Sequence, residues 1–157
     1  MSVLGPLVNW IEGTSLAGTI RESSRVTGAL SACHLIGLTL IAGGAVVSNL
    51  ARFGVLGETE HGAEATRPVA RAMTVGLCIS VATGLLLFAP RASTAVANST
   101  FQLKMSLLVV AALLHFTLQR ANRGTPTISG VLRAGGAFEL VLWFGVALAG
   151  CAYILLE

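Results

Sequence analysis

The chain has 157 residues, of which 54% are hydrophobic and 11% charged, with a formal net charge of +3. Soluble domains carry about 25% charged residues, and a globule this small must face water over much of its surface. The composition therefore excludes a soluble enzyme, and the lack of a basic tract argues against nucleic acid as a partner. Cys33, Cys78 and Cys151 lie in apolar segments without CxxC spacing, so no disulfide framework is expected. The start lacks a basic region before its apolar run, and Glu12 interrupts that run, so no cleavable leader is read there.

Leu4, Leu7, Val8 and Ile11 recur at helical spacing, with Trp10 nearby, and predict a short amphipathic helix in the membrane interface. Gly13-Thr14-Ser15 breaks it, and Leu16 to Ser23 reads as a second short helix capped by Ser15. Residues 1–25 thus form an interfacial segment ahead of one membrane domain that fills the chain, 1–157.

A helix needs roughly 20 apolar residues to cross a bilayer. Charges bound spans at about 28–50, 72–90, 100–119 and 134–156, the third including Lys104 and the fourth Glu139. A barrel would show alternating polarity, which is absent, so the expected fold is an all-α integral membrane four-helix bundle. Gly54 to Pro68 reads as a polar, solvated loop. The loops after spans one and three hold Arg52, Arg67, Arg71, Arg120, Arg123 and Arg133, six cations against four (Arg21, Arg25, Arg91, Lys104) on the other side. The excess favours cytoplasmic placement of those two loops, with both termini outside.

Polar residues inside spans are costly and point to function. At about 1.5 Å per residue, an outer group forms one level: Cys33 and His34, Lys104 and Met105, Cys151 and Tyr153. Imidazole ligates haem iron or metal, and thiolate and thioether suit copper(I), so His34, Cys33, Met105 and Cys151 are candidate metal ligands. Lys104 would hold a carboxylate, such as a haem propionate, or a lipid headgroup. An inner group comprises Asn49, Thr74, His115 and Glu139, in which His115 and Glu139 form a possible polar pair able to relay protons or to fix a ring. A haem held by both His34 and His115 is excluded, since their depths differ by about 10 Å. Packing explains the cysteines and glycines equally well, and snorkelling explains Lys104.

Several strings carry a resemblance. Trp10-Ile11, Ile20-Arg21-Glu22-Ser23, His34-Leu35-Ile36-Gly37-Leu38, Thr83-Gly84-Leu85-Leu86-Leu87-Phe88 and Asn98-Ser99-Thr100-Phe101-Gln102-Leu103-Lys104-Met105 resemble a family of small bacterial inner-membrane proteins catalogued as a domain of unknown function. His115 falls where that family often has histidine. Asn49-Leu50-Ala51-Arg52 departs from it, standing where an acidic residue closely followed by arginine is expected, which puts an ionic role at this position in question. The histidine of span one, Thr83-Gly84, Lys104 and Arg120-Ala121-Asn122-Arg123 with Pro126 are similar to the copper-resistance D family, and the arrangement is similar to the haem-containing membrane protoporphyrinogen oxidase. These likenesses imply His34 as a ligand of haem b or copper with Lys104 beside it. No nucleotide loop, zinc-protease helix or serine elbow is present. The expectation is an accessory or cofactor-associated subunit of a larger membrane complex or a homo-oligomer in the bacterial inner membrane, not an autonomous enzyme. A haem or copper redox protein is the alternative, and a proton-coupled transporter using His115 and Glu139 the weaker one.

Overall fold

The computed structural model describes residues 4–55, 60–122 and 130–155, and among them every regular element is helical. Two short helices, α1 (Leu4–Glu12) and α2 (Ser15–Glu22), precede α3 (Ser24–Arg52) and α4 (Glu60–Phe88). A 3-10 turn, Ala89–Arg91, leads into the short α5 (Ala92–Ala97), followed by α6 (Ser99–Asn122) and α7 (Gly130–Leu155). Four helices are long and apolar enough to cross a membrane: Ser24–Arg52, Pro68–Ala97, Ser99–Ala121 and Gly130–Ala152. Their outward faces carry exposed Leu35, Ile36, Leu85, Val109, Val141 and Leu148. Such a continuous apolar surface suits acyl chains and would be a liability in water. The chain is an all-α, multi-pass membrane bundle.

Caps set the helix limits. Thr14, not the expected Ser15, caps α2: its hydroxyl accepts from the Ala17 amide at 3.3 Å, and Ser15 is already helical. Ser23 caps α3 through the Val26 amide. The Asn98 side-chain oxygen Oδ1 caps α6, accepting from the Thr100 and Phe101 amides at 2.9 and 3.2 Å. A second correction concerns the expected loop Gly54 to Pro68. The chain is helical from Glu60, and Pro68 lies inside α4, while residues 56–59 of that loop lie outside the described residues. The polar residues after Gly57 hid the helix, because periodicity reads a helix from its apolar face.

The spans form two hairpins, α3–α4 and α6–α7, joined through α3 and α7. Among the described residues α4 and α6 do not pack closely, although Phe88 and Phe101 stack across their ends at 5.5 Å. Inside the first hairpin the backbones nearly touch. A Cβ on Gly37 would lie 2.8 Å from the Gly76 carbonyl oxygen, and one on Gly76 would lie 2.7 Å from that of Gly37. Only glycine permits this approach. An apolar layer of Ile41, Ala45, Met73, Ala111, Leu142 and Trp143 crosses the middle of the bundle.

At one end, the capped end, α1 and α2 lie over the turn between α4 and α6. The Glu12 carboxylate accepts from both the amide and the hydroxyl of Ser93, each at 2.7 Å, and so caps α5. Arg21 donates to the Glu12 carbonyl oxygen, and the Thr27 hydroxyl donates to that of Ile20 at 2.8 Å. The Ser93 hydroxyl and then its amide hold the Glu12 carboxyl below the usual carboxylate range. A carboxyl with a lowered folded pKa stabilises above its unfolded value, about 4, and loses that contribution as pH falls through the folded one. Hydrogen exchange of residues 4–22 should therefore accelerate on acidification below that range. Glu12→Ala should show the faster exchange at neutral pH, and an identical profile in the variant would contradict the cap.

Candidate functional site

Two polar groups lie on opposite sides of the apolar layer, and they differ in how completely they are bonded. The far group, away from the capped end, centres on Glu139. Its side chain is 0% exposed, with Arg52 at 4%, His115 at 3% and Asn49 at 0%. Arg52 Nη1 donates to Glu139 Oε2 at 2.6 Å and to Asn49 Oδ1 at 3.0 Å. Asn49 Nδ2 donates to the Ala45 carbonyl oxygen at 2.9 Å and to Glu139 Oε2 at 3.4 Å. The other carboxylate oxygen, Oε1, meets His115 Nδ1 at 2.5 Å. A carboxylate only accepts, so Nδ1 carries the ring proton. The remaining nitrogen, Nε2, then accepts from the Gln119 amide nitrogen at 2.6 Å.

Helix periodicity explains this convergence. Asn49 and Arg52 are three residues apart in α3, and His115 and Gln119 four apart in α6, so each pair shares a face. α7 runs between those faces and delivers Glu139 to both. Gly136 supplies the space: a Cβ there would collide with the Asn49 amide oxygen and press on Arg52 Cδ at 3.4 Å. Arg52 and Glu139 bring one positive and one negative charge into the same buried network. No buried polar atom of this group lacks a partner among the described residues.

The group at the capped end is different. His34 Nδ1 lies 3.0 Å from the Thr83 hydroxyl oxygen, and that hydroxyl donates to the Ile79 carbonyl oxygen at 2.6 Å. Thr83 has one proton and has given it away, so His34 Nδ1–H is the donor to it, and the ring also bonds the Ser80 backbone. Lys104 lies within electrostatic reach of the ring. Both side chains are half-buried, not sealed. Ser80 Oγ, one turn before Thr83, is buried without a hydrogen-bond partner among the described residues.

Several expectations are corrected here. Cys33, Cys78 and Cys151 are exposed on the helix surfaces, and Met105 is 39% exposed. Among the described residues no three histidine, cysteine or acidic groups gather to hold a metal. Cys33 and His34 point to different sides of α3, because adjacent helix positions point about 100° apart. Thr74 is exposed and bonds its own helix at Ala70, so it leaves the inner group. The Tyr153 side chain lies outside the described residues. Asn49, His115 and Glu139 do meet. Arg52, read from sequence as a loop cation, is the residue that reasoning missed. The signal was available: one unpaired buried acid at Glu139 requires a cation at the same depth, and Arg52 ends span one at that depth.

Comparison with known proteins finds no matching family model, curated protein or solved structure. What the fold and sites define is a multi-pass helical membrane protein with one complete and one incomplete polar site.

The far group sets a ranking of variants. Glu139→Gln keeps the shape but strands the Arg52 charge, and should cost about 3–5 kcal/mol of stability in detergent. Arg52→Gln strands the Glu139 carboxylate in turn and should cost a similar amount. Gly136→Ala should cost about 1–3 kcal/mol through overpacking, and Gln119→Ala about 1 kcal/mol. Thermal unfolding of the purified variants gives the order, and Glu139→Gln with the stability of the unaltered protein would refute the assignment.

Proposed function

We propose that this protein is an accessory, ligand-holding component of a larger membrane assembly in the bacterial inner membrane, with the far group as its structural clasp and the capped-end group as its binding site. The observation that carries this reading is the contrast between the two groups. The Glu139 cluster is sealed and satisfied, so it offers no open position to a substrate. His34 and Lys104 are half-buried, and among the described residues Lys104 has no hydrogen-bond partner.

A cofactor at His34 is the second reading, favoured by the tautomer. A ring whose Nδ1–H is fixed by a hydroxyl presents Nε2 as a ligand, the orientation that outer-shell partners give metal-bound histidines. Haem b fits this donor set in part. His34 would provide one axial nitrogen, Lys104 an ammonium for a propionate, and haem would supply one-electron chemistry there. Copper has less support, since among the described residues no three histidine, cysteine or acidic groups gather. Proton-coupled transport has the least support: the layer of Ile41, Met73, Leu142 and Trp143 separates the two polar groups and provides no proton carrier between them.

Orientation rests on the cation balance. With Arg52 neutralised by Glu139, the excess narrows from six against four to five against four. Its sign is unchanged, which supports the reading that both termini face the periplasm.

One membrane preparation tests the proposal. On native electrophoresis the protein should migrate in a complex larger than a small homo-oligomer, and tags at either terminus should be open to a periplasmic protease. Visible spectra with metal analysis on the same solubilised complex test the second reading. A reduced-minus-oxidised haem signal abolished by His34→Ala would establish it, and a metal-free, colourless complex would remove it. Migration only at monomer or small-oligomer size would overturn the accessory role.

A further inference from the structure

At the capped end α2 leans away from the α3–α4 hairpin and leaves a groove of about 420 Å³ between them. Leu16 of α2 forms one wall, with Ser15 and Thr19 at its rim. Val26 and Leu30, one turn apart on α3, and Leu86 of α4 form the other. The α2 wall is fixed in place. Ala17 and Ile20 are buried beneath it, and the Thr27 hydroxyl of α3 donates to the Ile20 carbonyl oxygen at 2.8 Å. The groove is therefore part of the fold and not a gap between loose segments.

The lining selects the occupant. No charged side chain borders the groove, so an ionic ligand finds no counter-charge there. Its polar groups are two hydroxyls on α2, and Thr19 already donates to the Ser15 carbonyl oxygen at 3.0 Å. The rest is branched aliphatic surface, with Leu16 left 51% exposed. Water is a poor filling for such walls. Acyl chains are at hand, because neither α1 nor α2 is among the helices able to cross a membrane, yet both carry large exposed apolar residues, Leu7, Trp10 and Leu16. Short helices of that kind lie at the boundary between headgroups and acyl chains. The groove also runs into the lipid-facing surface of the bundle, where Leu85 stands exposed beside Leu86.

We infer that the groove between α2 and the α3–α4 hairpin seats one acyl chain of a phospholipid from the leaflet at the capped end. The methylenes cover Leu16, Val26, Leu30 and Leu86, and the ester region lies at the hydroxyl rim, where Ser15 can donate to an ester carbonyl oxygen. The lipid fills the angle at which α2 leaves the hairpin and so joins the two short helices to the membrane-crossing part of the bundle. This site is separate from the His34 and Lys104 group and stands whatever that group binds.

Native mass spectrometry tests this on the full chain, reconstituted in phosphatidylcholine vesicles and extracted in mild detergent. One phosphatidylcholine should stay with each chain after washing that removes the remainder. Thr19→Trp and Val26→Trp, which fill the groove with an indole, should each lower its retention about tenfold, a difference of about 1.4 kcal/mol. Leu35→Trp, on the lipid-facing surface outside the groove, should leave retention unchanged. Lysophosphatidylcholine, which has a single acyl chain, should displace the retained lipid, whereas glycerophosphocholine, the same headgroup without chains, should not. Absence of a retained phospholipid from the unaltered protein would overturn the proposal whether or not the variants fold. Undiminished retention in both filled variants would do the same. An equal loss in Leu35→Trp would mark ordinary boundary lipid, and displacement by glycerophosphocholine would mark a headgroup site; either result would overturn the acyl-chain assignment.

Discussion

Everything in this bundle is arranged around one buried carboxylate. In a bilayer a lone ionised group at this depth carries a penalty of several kcal/mol, so Glu139 dictates what must surround it. It receives a guanidinium from α3 and an imidazole from α6, and these reach it only if the two hairpins meet through α7. Lipid-facing helices gain little from hydrophobic association, because acyl chains are as apolar as leucine. Directional polar contacts and close glycine crossings must therefore do what a hydrophobic core does in water. The Gly37–Gly76 crossing closes the first hairpin, and the Glu139 cluster fixes that hairpin against the second.

Complete bonding of one polar group makes the incompleteness of the other informative. Both groups sit within apolar helices, the far one sealed and the capped-end one half-buried. At the far group every buried donor and acceptor has been matched, down to the Gln119 amide on His115 Nε2. At the capped end His34 bonds Thr83 and the Ser80 backbone, and among the described residues Lys104 has no hydrogen-bond partner. That contrast is why the capped-end group, and not the Glu139 cluster, is the candidate binding site.

Much of the fold was legible in the sequence because membrane helices advertise themselves through charge-free length. The four long helices, the short amphipathic α1 and the break at Gly13-Thr14-Ser15 follow from apolar spacing alone. The start of α4 did not, since its first turns are polar and give no apolar stripe. The cap of α2 moved by one residue because threonine and serine cap equally well on composition, and only backbone geometry decides between Thr14 and Ser15. Of the site residues, the His115–Glu139 pair could be read from matching depths in successive antiparallel helices. Arg52 was misassigned because a cation at the end of a span reads as a loop marker. Depth calculations also grouped Cys33, Met105 and Cys151 with His34, since they fix level but not azimuth. Neighbouring positions on one helix point in different directions, which sets Cys33 apart from His34.

The most direct test of this account is a double-mutant cycle between Arg52 and Glu139, using Arg52→Met, Glu139→Leu and the double variant, with unfolding free energy in detergent as the readout. If Glu139 is the clasp, each single variant leaves a charge stranded and the double removes both. The double should then be at least as stable as the Glu139→Leu protein, with a coupling of about 2–3 kcal/mol, the range found for residues in one buried network. Additive losses, with no coupling beyond about 0.5 kcal/mol, would contradict the claim that this pair holds the two hairpins together.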